Sequence, residues 1–245
     1  MGTIIGGKFF DDYAVQYNGT DNGHYIDNPA NKSDSAGCWA MDVMVKTMPA
    51  YPGNSVILSL PTNNGGLFVI SARKQAGYGD TDARFDMVAR SYTGQSTYGS
   101  GGDTTKPLVD TWYRLIVQSN GKMYINGVEQ VLNDWGSGNW TGQWHSYMTG
   151  ASARRLNIGM NWVPGVGSPA SYGNVRINNL IYYNAPLTTA EVTADYNGGV
   201  SFDRRSNAAL AAKLVEFWRF DENGNAEVNP ANNLTAYGTP TYVAP

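Results

Sequence analysis

Apolar residues in this chain alternate at period two in short runs, broken by clusters of Gly, Pro, Asn and Asp. That pattern predicts strands joined by tight turns. In residues 37–46 (GCWAMDVMVK), Trp39, Met41, Val43 and Val45 fall on one face. Residues 172–199 read YGNVRINNLIYYNAPLTTAEVTADYNGG. Val175, Ile177, Ile181 and Tyr183 share one parity there, while Leu180 and Tyr182 fill the other. Apolar side chains on both faces place this strand inside a sheet rather than at its edge. Thr188 and Glu191 then have the spacing of a capping box, and Gly198 sits where a short helix would end. Further strands are expected near 56–60, 66–72, 84–90 and 155–160. Residues 206–213 suggest a helical turn or two, followed by a strand over 213–220 (KLVEFWRF). In residues 112–127 (WYRLIVQSNGKMYING), Asn120-Gly121 suits a two-residue type I′ turn. That turn would pair Val117 with Tyr124 and Ile116 with Ile125.

Composition agrees with many short aromatic strands. Of 245 residues, 29 are Gly, 16 Tyr and 7 Trp, and only 15% are charged. The formal net charge of −3 gives no electrostatic reason to expect nucleic acid as a partner. No apolar run is long enough for a membrane-spanning helix, so membrane insertion is not expected. The single cysteine, Cys38, excludes an internal disulfide framework, and a small buried thiol at a strand start is its expected role. The start MGTIIGGKFFDD lacks the basic and apolar regions of a signal peptide. The sequons at Asn18, Asn31, Asn139 and Asn233 are accordingly read as chance matches in an Asn-rich chain. Residues 1–12 read as an arm, with Phe9 and Phe10 as anchoring side chains, and 13–245 as a single domain.

Several motifs in order resemble laminin-G-like domains of the concanavalin A-like lectin/glucanase superfamily. The stretch from Ile177 through Leu187 and Glu191 to Tyr196 is similar to the family's closing strand, corner and helix. Residues 13–27 resemble its opening strand, residues 37–46 its Trp-bearing strand, and Trp112, Gly121, Tyr124, Asn126 and Gly127 its central hairpin. Residues 214–240 are similar to its terminal element. The resemblance implies an all-β fold, a two-sheet antiparallel jelly-roll sandwich with one or two short helices, in which strands from both ends of the chain pair.

Little catalytic chemistry is visible. Glucanases of this fold use a strand with closely spaced acids, and retaining hydrolysis needs carboxyls about 5 Å apart. Glu129, Glu191, Glu216, Glu222 and Glu227 include no pair two to four residues apart. There is no nucleophile elbow. His24 and His145 are the only histidines, too few for a zinc site. No cofactor is expected, although calcium is bound by many members of the family through loop oxygens. Asp11, Asp12, Asp21, Asp103 and Asp134 are scattered over loops, with Asp21 and Asp103 the candidate ligands, and Asn178 stands where the family has an acid.

The most pointed candidate site is residues 133–147 (NDWGSGNWTGQWHSY), read as a polar loop. Trp135, Trp140, Trp144, His145, Tyr147 and Asp134 could stack on and hydrogen-bond a sugar, contact a protein, or fold inward over the sandwich. Residues 92–105 form a second polar, aromatic loop. A lectin-like chain without a leader resembles accessory proteins of bacteriophage virions. The expectation is therefore a non-catalytic virion surface or capsid decoration protein, made in the host cytoplasm. Its expected partners are virion or capsid proteins and host-surface glycans, with homo-oligomerisation left open. A free carbohydrate-binding lectin and a polysaccharide hydrolase or lyase are the alternatives.

Overall fold

The computed structural model describes residues 14–27, 37–49, 54–61, 67–74, 83–90, 97–102, 104–136, 155–162, 167–197, 203–220 and 223–243. Phe9, Phe10, Asp11, Asp12, Asp103, Trp140, Trp144, His145, Tyr147 and Gly198 lie outside these residues.

Two antiparallel sheets face each other across an apolar core. The first contains β1 (Ala14–Gln16), β3 (Cys38–Val45), β8 (Trp112–Gln118) and β9 (Met123–Ile125). It also contains β10 (Val128–Glu129), β15 (Val175–Tyr183), β16 (Leu214–Trp218) and β18 (Thr241–Val243). Their order is β10-β9-β8-β3-β15-β1-β18, with β16 also beside β15. The second sheet contains β2 (Gly23–Asp27), β4 (Ser55–Pro61), β5 (Leu67–Lys74) and β6 (Ala83–Arg90). With β7 (Thr97–Gly102), β11 (Leu132–Gly136), β12 (Arg155–Ile158) and β17 (Thr235–Tyr237), it is ordered β11-β7-β6-β5-β4-β12-β2-β17. A two-stranded ribbon, β13 (Met160–Asn161) with β14 (Ser171–Tyr172), completes the strands. The fold is the two-sheet antiparallel β-sandwich that the family resemblance implies. The two ends of the described chain meet, since β1 pairs with β18 in register Val15↔Tyr242.

Trp39, Met41, Val43 and Val45 all enter the core between the sheets, as their parity requires. Residues 175–183 depart from simple alternation. Val175 and Ile177 face the core, but so do Leu180 and Tyr182, whereas Ile181 and Tyr183 lie on the opposite face. A bulge between Asn178 and Ile181, with Asn179 at φ 47°, inserts the extra residue that exchanges the faces. The central hairpin also differs from expectation by one residue. Leu115 pairs with Ile125, Ile116 with Tyr124 and Val117 with Met123. Of the turn residues only Gly121 has positive φ (84°), so Ser119-Asn120-Gly121 is a three-residue loop rather than a type I′ turn. The type I′ geometry occurs one turn later, where Asn126 (φ 52°) and Gly127 (φ 77°) join β9 to β10.

The outer face of the first sheet is covered by α1 (Thr189–Asn197) and α2 (Ala208–Ala211). The capping box forms: the Thr188 N–H donates to Glu191 Oε2 (2.7 Å) and the Glu191 N–H to Thr188 Oγ1 (3.3 Å). Cys38, Ala40, Ile116, Ile181, Tyr183, Val192, Leu210 and Phe217 fill the space beneath the helices. Among them lies a buried charge network. Asp195 of α1 accepts from Arg114 Nε (2.7 Å) and Nη2 (3.0 Å), Arg204 Nε (3.1 Å) and the Tyr183 hydroxyl (2.9 Å). Arg114 Nη1 also reaches Asp42 (3.3 Å), directly opposite it in the sheet. Burial alone would raise the Asp195 pKa, but the two arginines outweigh it and bring the value down to about 2. Asp42, facing Arg114 less closely, is left raised by desolvation.

Candidate functional site

The segment 133–147, read as a loop, begins in a strand. Asp134 pairs with Ser100 and Trp135 with Gly99, so the second candidate loop contributes the neighbouring strand β7. Two stretches that are distant in sequence are thus adjacent at one edge of the second sheet. The register continues from Trp135 through Gly99 to Val88, Val69, Ser59, Asn157 and Tyr25. That row crosses the outer face of the second sheet, because Leu156, Ile158, Leu58, Ile70 and Met87 take the inner one.

At the far end of this row, aromatic side chains collect that sequence reading did not single out. Tyr25 meets Trp162 edge-on with ring centroids 5.0 Å apart. Trp162 meets Tyr237 at 5.0 Å, and Tyr237 stacks on Tyr172 at 6.5 Å. All four rings are half-buried. Arg155 completes the cluster, its guanidinium 4.0 Å from the Trp162 ring centre and 4.8 Å from that of Tyr25. Asp27 holds Arg155 in a fork, accepting from Nε (2.6 Å) and Nη2 (3.0 Å). Arg155 Nη1 has no hydrogen-bond partner although the residue is 8% exposed. The Tyr172 hydroxyl is pushed up to about 12 by burial, by its hydrogen bond to Tyr237 and by the negative charge of Asp21.

These side chains come from four places in the sequence, and buried polar groups bring them together. Tyr25 and Tyr237 are outward positions of the neighbouring strands β2 and β17. Trp162 and Tyr172 arrive on the ribbon, which packs beside β4. Asn157 fastens the ribbon from below, donating from Nδ2 to the Trp162 carbonyl (3.2 Å) and to Ser59 Oγ (2.9 Å). Ser59 in turn donates to the Met160 carbonyl (3.0 Å). Gly173, just past β14, makes the close approach possible, since a β-carbon there would run into the Val56 carbonyl.

Farther along the same face, Arg73 and Arg84 stand directly opposite one another, as do Ser71 and Asp86. Arg73 Nε donates to Asp86 Oδ2. Even so, burial raises the Asp86 carboxyl to about 6, the attraction of Arg73 and Arg84 only partly offsetting it.

The other titratable candidates serve the fold. His24 lies between the sheets, hydrogen-bonded through Nδ1 to the Tyr17 hydroxyl (2.8 Å) and through Nε2 to that of Tyr242 (3.1 Å). Burial lowers its pKa to about 4. Glu216 holds residues 228–232 through the amides of Val228, Asn229 and Asn232. Cys38 is fully buried, and its thiol is pushed far up by that burial. Asp21, the described calcium candidate, is an exposed loop carboxylate. Its carboxylate receives N–H from Asn18 Nδ2 (2.6 Å), and among the described residues no three His, Cys, Asp or Glu side chains gather.

No protein-family model matches the chain, and no curated protein sequence does. Solved structures do. A carbohydrate-binding protein candidate from Bacteroides ovatus aligns with a TM-score of 0.58 at 16% identity, over 96% of this chain and 60% of that one. Full-length tailspike protein 2 of an Escherichia coli O157:H7 bacteriophage aligns at 0.52 and 11% identity, over 89% of this chain and 31% of that one. The fold is a β-sandwich shared with these proteins. Identities this low speak for the fold alone, and the chain spans 60% or less of either protein's length.

Proposed function

We propose that the protein is a non-catalytic, lectin-like virion surface protein of a bacteriophage that binds glycans on the outer face of its second sheet. The observation behind this reading is the half-buried strip Tyr25, Trp162, Tyr237 and Tyr172 beside Arg155 and Asp27. Sugar rings present apolar C–H faces that rest on aromatic rings, and their hydroxyls need fixed donors and acceptors. The half-exposed Asp27 carboxylate beside the rings offers acceptor capacity. The carboxylates described on this face do not form a hydrolytic pair. Asp27 on β2 and Asp86 on β6 are four strand spacings apart, about 19 Å at ~4.8 Å each. Glycoside hydrolysis needs less than about 10 Å. The similarity to a phage tailspike motivates the virion assignment.

The test is a glycan array with wild-type protein and the variants Tyr25→Ala, Trp162→Ala and Tyr237→Ala, each checked for an unchanged melting profile. Loss of each stacked ring should weaken binding by about tenfold or more. A wild-type protein that binds no glycan, or variants that bind as well as wild type, would sink the reading. Mass spectrometry of purified virions tests the location: the chain should co-sediment with particles, and its absence from them would refute that part.

A further inference from the structure

Residues 235–243 form a strap across one edge of the sandwich, and Tyr237 of the aromatic strip rides on it. Its two strands belong to different sheets. β17 pairs with β2 through Ala236↔His24 and Tyr237↔Gly23, and β18 pairs with β1 through Val15↔Tyr242. Each is the last of its sheet among the described strands. Most of the strap is exposed, with Tyr237, Pro240, Tyr242 and Val243 half-buried. Side-chain hydrogen bonds tie it inward. Asn22 Nδ2 donates to the Thr239 carbonyl (3.1 Å), and the Tyr242 hydroxyl meets His24 Nε2 (3.1 Å). The second of these joins the strap to a buried titratable group.

His24 is 1% exposed and both of its ring nitrogens are taken, since Nδ1 faces the Tyr17 hydroxyl (2.8 Å). A neutral imidazole carries one N–H and one lone pair, so one of the two hydroxyls accepts and the other donates. The imidazolium carries two N–H groups. The hydroxyl that had donated must then turn its hydrogen into the core, where burial leaves it unsatisfied. Among the described residues, Tyr17 after β1, Tyr242 of β18, Phe220 after β16 and Gly224 lie against the ring. Ile158 of β12 and Ala236 of β17 stand opposite it in the sheet. The two tyrosines are the titratable groups in this set, and none carries a charge at neutral pH. Tyr17 and Phe220 are 0% and 1% exposed whereas Tyr242 is half-buried, so the way for water to reach the ring runs through the strap.

We propose that residues 235–243 are an acid-released strap whose sensor is His24, and that release dismantles the aromatic strip. Opening frees the Tyr242 contact and hydrates the ring while the rest of the core stays packed. The closed protein holds the imidazole at about 4 against an ordinary 6.5, so opening takes up a proton. It is therefore favoured as pH falls below 6.5 and levels off below 4. Asp86 on β6 and Asp42 on β3 lie on strands that do not pair with the strap, so they do not offset this slope as they do in global unfolding. Release carries Tyr237 away from Trp162 and Tyr172, its neighbours in the strip. That consequence for a ligand rests on the glycan-binding reading above; the strap itself does not.

The experiment is hydrogen–deuterium exchange of the full chain at pH 7, 6, 5 and 4, read by mass spectrometry and corrected for the intrinsic pH dependence of amide exchange. Protection of peptides covering 235–243 should fall by about 100-fold between pH 7 and pH 4, while residues 38–45 of β3 keep theirs. His24→Gln cannot titrate, so its strap should show no such fall. Should His24→Gln fail to fold, Tyr242→Phe provides the second arm. It removes the strap's bond to the ring, so strap protection should drop about five- to tenfold already at pH 7, with β3 again unchanged. Strap protection that is independent of pH in wild type overturns the inference, as does an equal fall in His24→Gln or an unaltered strap in Tyr242→Phe. Loss of protection in the strap and β3 together overturns it too, because that is global unfolding. The glycan array repeated at pH 7 and pH 4 tests the link to the strip: signals should weaken at pH 4 for wild type and hold in His24→Gln. Signals that hold in both, with the strap open, overturn that link. Failure to bind any glycan at pH 7 sinks the glycan reading and leaves the strap to be judged on exchange alone.

Discussion

Neutralising Asp86 is expected to expose a pH dependence of stability that the wild-type protein conceals. Two buried groups with opposed linkage titrate in the same window. His24 has a folded pKa of about 4 against an ordinary 6.5, because burial between Tyr17, Phe220 and Tyr242 disfavours the imidazolium. Between those values the unfolded chain binds the extra proton, so stability rises with pH. The His24 contribution is full above 6.5 and lost as pH falls through 4, at about 3 kcal/mol in all. Asp86 behaves in the opposite sense. Its folded pKa of about 6 exceeds the ordinary 3.8, so the folded protein holds the extra proton. Its contribution is full below 3.8 and lost as pH rises through 6, again by about 3 kcal/mol. From pH 4 to 6 the two nearly cancel. Asp42, raised by desolvation, adds to the Asp86 sense. Urea unfolding followed by tryptophan fluorescence at pH 4, 5, 6 and 7 would separate them. Asp86→Asn should gain stability relative to wild type by about 3 kcal/mol across pH 4 to 6, since only His24 of the pair then titrates. His24→Gln should diverge in the other direction by a similar amount. Surface carboxylates are common to all three proteins and drop out of the differences. Curves for Asp86→Asn and wild type that run parallel within about 0.5 kcal/mol would refute the opposed-linkage account.

Three further outcomes follow from the packing. Asp195→Ala strands Arg114 and Arg204 in the interior and should cost about 3–5 kcal/mol in denaturant unfolding; a loss below ~1 kcal/mol would show that the network is not what fastens α1. Gly173→Ala pushes a methyl group into the Val56 carbonyl, so the ribbon must shift; the expected signature is a loss of about 1–3 kcal/mol together with weakened glycan binding, and unchanged binding would contradict the ribbon's role. Asn157→Leu keeps the side-chain volume but removes the donors to the Trp162 carbonyl and Ser59; glycan affinity should fall about tenfold with Tyr25 intact, and full affinity would show that Trp162 needs no support from below.

The sandwich was readable because its determinants are local. Alternation over residues 38–45 and the capping box at Thr188 and Glu191 follow from short-range pattern, whereas the pairing of the terminal strands was implied by the family resemblance. The errors in detail share a cause. Asn120-Gly121 and Asn126-Gly127 are the same dipeptide, yet only the second forms a type I′ turn; the first yields to a bulged loop that keeps Leu115, Val117, Met123 and Ile125 in the core. In β15, alternation breaks at Asn178-Asn179, where a bulge lets Leu180 and Tyr182 turn inward. In both places core packing overrides the local preference. The aromatic strip was not legible for a different reason. Tyr25, Trp162, Tyr172 and Tyr237 look like ordinary outward strand positions until β2, β17 and the ribbon are brought side by side. The one available signal was Tyr25, an aromatic outward between the inward His24 and Ile26. The tryptophan segment drew attention by local density of indoles, and register sets Trp135 on the row that ends at Tyr25.

The two outer faces of the sandwich differ in a way that separates support from recognition. Both bury arginines and aspartates in the middle of a sheet. Beneath α1 and α2, Arg114 and Arg204 face Asp42 and Asp195, two charges against two, and none of those four side chains has a buried nitrogen or oxygen without a partner. That arrangement is closed, and its covering helices leave no access for a ligand. On the second sheet Asp86 lies beside Arg73 and Arg84, and among the described residues Arg84 Nε, Asp86 Oδ1, Arg155 Nη1 and Asn157 Oδ1 have no hydrogen-bond partner. Desolvation makes each open group costly, so a face that collects several of them is either misassembled or complementary to something absent. Misassembly does not explain why these groups share one face with a cluster of half-buried aromatics. Complementarity fits the proposed glycan reading, in which the helix-covered sheet stabilises the domain and the half-buried aromatics of the other sheet meet the ligand.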